Sequence, residues 1–205
     1  MGMERLASLS IDDFLTRLGS KEPVPGGGAA AGVTGAIGAA LAQMVVSYSI
    51  GRKNLAEHQD ALKAIGSALD ELLARLTHLA DEDATAYAEL STLWGLPKDD
   101  PKRVKGWNLA LDRAIAVPTG IMDAGAKLLE LCAQLAPICN KNLLSDLAGA
   151  SALAEACVRA AGQNVRVNAA MLEDTDASER LMADLASRRR SAGEKRAEIE
   201  RACGS

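Results

Sequence analysis

An acid interrupts a leucine seam. Leu62, Ile65, Leu69, Leu72, Leu76 and Leu79 alternate in steps of three and four, the apolar repeat of a helix packed in a bundle. The next seam positions are Asp83 and Ala86, with Tyr87 and Leu90 following near the same face. A carboxylate on an apolar face is costly unless it is hydrogen-bonded or paired. Burial raises its pKa towards neutrality, where it can take and return protons. Two readings stand at this level. Either Asp83 faces the bundle as an acid/base group, or the helix ends or bends near Asp81-Glu82-Asp83 and the acids are solvated.

Further polar groups sit on small or apolar surroundings. Asp146 and Asn164 lie on a face traced by Ala150, Leu153, Cys157, Ala160, Asn168 and Met171. Asp146 is open to a capping role, as are Ser145 and Asn142, and Asn164 to that of a satisfied core amide. Pro23-Val-Pro-Gly-Gly-Gly28 cannot continue a helix and makes a shaped loop. It is followed by an uncharged Ala/Gly-rich run to Gly51 and then by Arg52-Lys53. Free N–H groups at the start of that helix suit an anion or a polar ligand edge. Gly26-Gly27-Gly28-Ala29-Ala30-Ala31 also fits a dinucleotide fingerprint. No strand precedes it and the next acid is Glu57, so that reading fails.

The elements that must hold these groups are helical. Ser10-Ile11-Asp12-Asp13 opens a helix with the apolar stripe Ile11, Phe14, Leu15 and Leu18, ended by Gly19. The run after Gly28 has no proline and many alanines, and Gly28, Gly32, Gly35 and Gly38 give it a small-residue face for close packing. Pro23 to Gly51 is long enough to span a bilayer, but its Gly, Ala, Ser, Thr and Gln content favours a buried central helix. A long helix is predicted from about Asn54, then a loop over Gly95 to Pro101. Helix follows over Trp107 to Val117, kinked or restarted at Pro118 and continuing to Leu135. Others run from about Asn140 and from about Ala177, where Arg188-Arg189-Arg190 reads as a solvated face.

Alanine and leucine dominate, and β-branched runs are missing, which predicts an all-α single domain over 1–205, a bundle of about six to eight long helices. Residues 1–9 read as a loose N-terminal segment. A net charge of -4 and 2% aromatic residues argue against a nucleic-acid surface. Cys132, Cys139, Cys157 and Cys203 form no Cys-x-x-Cys pair, and His58 and His78 sit in no ligand pattern. No metal site, no disulfide framework and a reducing cytoplasm are expected.

An ordered set of motifs then resembles a known family. It comprises Phe14-Leu15, Pro25-Gly26-Gly27-Gly28, Gly38-Ala39-Ala40-Leu41, Met44-Val45, Gly51-Arg52-Lys53, Asp81-x-Asp83-x-x-Ala86-Tyr87, Leu96-Pro97-Lys98, Val117-Pro118, Asn142-x-x-Ser145-Asp146 and Asn164-Val165-x-Val167-Asn168. In order and spacing it is similar to the cyclodeaminase/cyclohydrolase family. That family holds the cyclodeaminase domain of formiminotransferase-cyclodeaminase and stand-alone bacterial methenyltetrahydrofolate cyclohydrolases. Two departures stand out: Asn54-Leu55 replace an aromatic-containing stretch after Lys53, and Tyr87 stands where Phe is common.

The resemblance implies an all-α homodimer acting on a tetrahydrofolate one-carbon unit, with no cofactor, metal or membrane. It implies Asp83 as general acid/base. Asp146 would position the pterin or move a second proton, and Arg52 and Lys53 would hold the anionic or reacting end. Pro25, Gly26, Gly27, Gly28, Tyr87, Asn142, Ser145 and Asn164 would complete the substrate contacts. Methenyltetrahydrofolate cyclohydrolase is the leading expectation. Formimidoyltetrahydrofolate cyclodeaminase is the alternative, and a non-catalytic helical dimer the second.

Overall fold

In the computed structural model, which describes residues 5–204, the chain forms six α-helices and, among those residues, no strand. They are α1 (Ile11–Leu18), α2 (Gly27–Ser47), α3 (Gln59–Trp94), α4 (Pro101–Leu135), α5 (Leu144–Ala169) and α6 (Thr175–Ala202). α2 packs on α3 and α5, α4 closes the ring against the same two helices, and α6 lies across α5 and α4.

The seam of α3 is the core it was read to be: Leu62, Ile65, Leu69, Leu72, Leu76 and Leu79 are all buried. Its helix starts at Gln59, after a 3-10 turn over Lys53–His58, and runs unbroken past Asp83 to Trp94. The alternative in which it ends at Asp81–Asp83 is therefore excluded. α6 likewise buries Leu185, Ala192 and Ile199 seven residues apart. Its Arg188 is not simply solvated, since it bonds Asp184 at 2.6 Å and also Asp123 on α4.

Small residues let α2 sit in the middle. A Cβ on Gly35 would lie 2.7 Å from Cys157 Sγ and 3.0 Å from a Leu76 methyl, so α3 and α5 close on this helix at distances that only glycine permits. The glycine face thus packs within one chain. By length and composition α2 could cross a membrane, yet 56% of its most apolar stretch is buried in the bundle.

α1 docks less than its stripe suggested. Ser10 caps it by accepting the Asp13 N–H at 3.0 Å. Only Phe14 is buried, while Ile11 and Leu15 are 81% and 57% exposed. In the N-terminal segment, Met1 to Glu4 lie outside the described residues. The next residues are tied to α3, where Leu6 N–H donates to Asp81 Oδ1 at 2.7 Å.

Pro118 does not break α4. The helix begins at Pro101, capped by Asp100, and continues through Pro118 to Leu135. Proline removes the N–H that would bond the carbonyl of Ala114. Asn168 of α5 supplies the replacement, donating from Nδ2 to that oxygen at 2.6 Å. The start of α5 also differs from the reading. Asn140 caps a 3-10 turn over Lys141–Leu143, and no side chain among Asn142, Ser145 and Asp146 caps the helix.

Candidate active site

The N-terminus of α2 lies against the middle of α3. Gly26, the residue before α2, has no side chain to cap it, so the first N–H groups need another acceptor. The Asp83 carboxylate provides it, accepting the Ala29 N–H. The approach is so close that a Cβ on Gly28 would fall 2.0 Å from Asp83 Oδ1 and 2.3 Å from Cγ. Glycine at 28 is therefore a steric condition for the carboxylate's place. Gly28, read as the end of the loop, is the second residue of α2, and this contact rather than backbone freedom explains it.

Asp83 opens into a cleft of about 250 Å³ lined by Pro23, Gly26, Gly27, Gly28, Ala86, Tyr87, Ala114, Asn164, Val167 and Asn168. Its wall from α5 carries two amides. Asn164 lies 3.5 Å from where a Gly27 Cβ would be and donates from Nδ2 to the Ala160 carbonyl at 3.1 Å, which leaves Oδ1 as a free acceptor. Asn168 is held by the bond to Ala114. Tyr87 is 48% exposed at the mouth.

Burial from water pushes the Asp83 carboxyl up from 3.8 to about 6, and the Ala29 N–H, which favours the charged form, only partly opposes this. No lysine or arginine lines the cleft. The result is a carboxylate able to accept a proton from water and return it to a leaving nitrogen near neutral pH. Among the described residues no three His, Cys, Asp or Glu side chains are placed to hold a metal ion.

The sequence-derived set divides in two. Gly26, Gly27, Gly28, Asp83, Tyr87 and Asn164 come together. Pro25 is buried behind the loop and lines a neighbouring hollow with Arg5, Arg17, Asp81 and Thr85. α2 and α5 run antiparallel: Gly27 faces Asn164, Gly35 faces Cys157, and Gly38 faces Ala150 and Leu153. Asp146, Ser145 and Asn142 therefore sit at the far end of α2, about 30 Å from Asp83 by helix rise. Arg52 and Lys53 follow the C-terminal end of α2. Ser49 and Asn140 join the two far-end loops, the Asn140 N–H donating to Ser49 Oγ at 2.9 Å. Within one chain, then, the acid and the basic pair lie at opposite ends. Asn168 was the wall residue that sequence reasoning left out of the site. Pro118 was the available signal, since it strands the Ala114 carbonyl and a donor had to be found.

Residues 10–187 match the family model described as formiminotransferase-cyclodeaminase. The chain is 34% identical over 180 residues to the methenyltetrahydrofolate cyclohydrolase of Methylorubrum extorquens, covering 86% of each. It is 31% identical over 169 residues to the formimidoyltransferase-cyclodeaminase of Mus musculus, of whose length it spans 31%. The solved structure of a formiminotetrahydrofolate cyclodeaminase from Thermotoga maritima superposes with a TM-score of 0.88 at 25% identity, over 97% of this chain and 98% of that one.

Proposed function

Because the chain belongs to the formiminotransferase-cyclodeaminase family, we propose that it hydrolyses 5,10-methenyltetrahydrofolate to 10-formyltetrahydrofolate. The observation that carries this is Asp83, a carboxylate raised to about 6, set in a cleft with amide acceptors and no cation. The substrate carbon between N5 and N10 is part of a cationic amidinium. Asp83 takes a proton from water as its oxygen bonds to that carbon. The same carboxyl then gives the proton to N5 as the C–N5 bond breaks. The new hydroxyl loses its proton to solvent, leaving the formyl group on N10. A negative group beside a cationic substrate favours both binding and the ionised, proton-accepting form of Asp83. The likeness to the Methylorubrum extorquens cyclohydrolase over 86% of both chains supports hydrolysis as the reaction.

A second reading is cyclodeamination of 5-formiminotetrahydrofolate, in which N10 attacks the formimino carbon and ammonia departs with a proton from Asp83. The Thermotoga maritima structure, similar over nearly its whole length, favours it. We read the protein as a cytoplasmic homodimer without nucleic-acid or membrane partners. Purified protein given each substrate separates the readings. Loss of methenyl absorbance above the spontaneous rate supports hydrolysis. Appearance of that absorbance together with ammonia from the formimino substrate supports the alternative. Failure of both would leave a non-catalytic helical dimer.

A further inference from the structure

A second hollow lies beside the Asp83 cleft. The cleft wall includes Ala114 of α4 and Asn168 of α5. Two turns back along α4, about 10 Å by helix rise, and just past the end of α5, a space of about 400 Å³ opens. Lys98, Arg103, Val104, Trp107, Asn108 and Met171 line it, and Glu173 adds an acid to the wall. The ground between the two hollows is apolar. Leu90 of α3 and Leu111 and Ala114 of α4 are buried there, and Trp107 and Met171 pack against them.

Charge divides the two spaces. The cleft holds a carboxylate and no lysine or arginine. The second hollow holds two cations that no acid pairs with among the described residues. Arg103 Nη1 donates to the carbonyls of Trp94 and Leu96 at 3.1 and 2.7 Å, at the C-terminal end of α3. Its guanidinium lies 4.5 Å from the centre of the Trp107 ring. Carbonyls and a ring face fix the group without neutralising it, and its other nitrogens have no acceptor among the described residues. A planar guanidinium held in this way is already oriented for a carboxylate. Lys98 stands exposed on the loop between α3 and α4, close enough to line the same space. The proposed substrate has matching polarity. Its amidinium is cationic, the aromatic amide beyond N10 is flat and largely apolar, and the glutamate at the far end carries carboxylates.

We propose that the hollow formed by Lys98 and Arg103 is an anion subsite for the carboxylates at the glutamate end of the substrate, with the apolar ground beside Met171 carrying its aromatic amide. The inference rests on the Asp83 cleft being the reaction site, as proposed above. Arg52 and Lys53, at the opposite end of α2, take no part in it. The test reads binding by equilibrium dialysis. The probes are 5-formyltetrahydrofolate and the same compound without its glutamate, 5-formyltetrahydropteroate. Wild-type protein should hold the first more tightly, and added salt should erode that margin. Lys98→Met should weaken binding of the first about 5-fold, the weight of an exposed ion pair, and Lys98→Glu should weaken it further. Neither should change binding of the second. Arg190→Met, on an exposed α6 position, removes the same charge and should alter neither. Because Arg103 also closes the end of α3, it is tested as Arg103→Lys, which keeps the charge but not the planar fork and should lower the preference for the glutamate-bearing probe. Equal binding of the two probes by wild-type protein overturns the subsite and leaves the Asp83 reading intact. So do Lys98 variants that bind both probes as wild type does. Wild-type protein that binds neither probe overturns the subsite, and if it also turns over neither proposed substrate, the reading beneath it falls too.

Discussion

Asp83→Asn separates the cost of the carboxylate from its use. Burial holds the group at about 6 in the fold against 3.8 for the free side chain. Ionising it therefore costs the native state up to about 3 kcal/mol, at 1.36 kcal/mol per unit, and its residual solvent contact brings the expected figure to about 1–3 kcal/mol. The sign follows from proton binding. Between pH 4 and 6 the native state holds this proton more firmly than the unfolded chain, so the group's contribution to stability falls as pH rises through that window. Above it, both states are ionised and the full penalty stands. Asparagine keeps an acceptor for the Ala29 N–H and carries no charge. The variant should be more stable than wild type by about 1–3 kcal/mol at pH 8, a rise in Tm of about 2–4 °C per kcal/mol, and the advantage should vanish near pH 4. Turnover should fall by about 10²–10⁴-fold, and the acid limb of the wild-type pH–rate profile, near pH 6, should be missing. Urea titrations at both pH values and steady-state rates decide it. An asparagine variant that turns over normally, or one equally destabilised at pH 8 and pH 4, would refute the reasoning.

Gly28→Ala should push the carboxylate out of its place, costing about 1–3 kcal/mol and most of the activity. Adding Asp83→Ala should recover stability in thermal melts without recovering turnover. Asn168→Ala should cost about 1–3 kcal/mol by orphaning the Ala114 carbonyl. That cost should shrink in a Pro118→Ala background, where the helix regains its own N–H donor; an unchanged cost in the double-mutant cycle would show that Asn168 acts otherwise. Lys53→Met should raise KM or lower turnover with the melting temperature unchanged, and wild-type kinetics would make it an ordinary solvated side chain. Dialysis against a strong chelator should leave turnover intact, since neither reaction calls for a metal; loss with recovery on metal addition would contradict this.

The bundle was readable because its signals are local. The α3 seam obeys a fixed period, and Ser10 stands where a cap belongs; the caps Asp100 and Asp174 went unread, so α4 starts at Pro101 rather than Trp107 and α6 at Thr175 rather than Ala177. Pro118 lies inside one continuous helix rather than restarting it, because the carbonyl that a proline leaves unmet is met here by a side chain 54 positions away in sequence. The site was half readable for a similar reason. Asp83 announces itself by breaking a pattern within its own helix. The distance between Asp83 and Lys53 depends on which way α2, α3 and α5 run against one another, and motifs in a line do not give that. Proximity along the chain brings Lys53 close to α3, but α3 is a 36-residue helix, and it carries Asp83 to the other end of α2 before presenting it.

The same geometry explains why the acid is tunable at all. A carboxylate at a helix N-terminus is ordinarily favoured in its charged form, since N–H groups and the helix dipole both pull its pKa down. At Asp83 burial outweighs that pull and the balance settles at about 6. Two features of α2 set the balance. Its uncharged sequence places no compensating cation nearby, so desolvation goes unopposed over most of the cleft wall. Its Gly28 lets the carboxylate close on the helix end, so one N–H bond is kept and the acid does not drift into the fully protonated range. Either feature alone would misplace the group: an added lysine in the wall would drive it back to an ordinary carboxylate, and loss of the Ala29 contact would lift it further from neutrality's acidic side towards a permanent acid. A substrate cation arriving in this cleft lowers the pKa from about 6, leaving Asp83 ionised when water must be deprotonated, and the loss of the amidinium charge as water adds raises it again, so that the proton is held until N5 receives it.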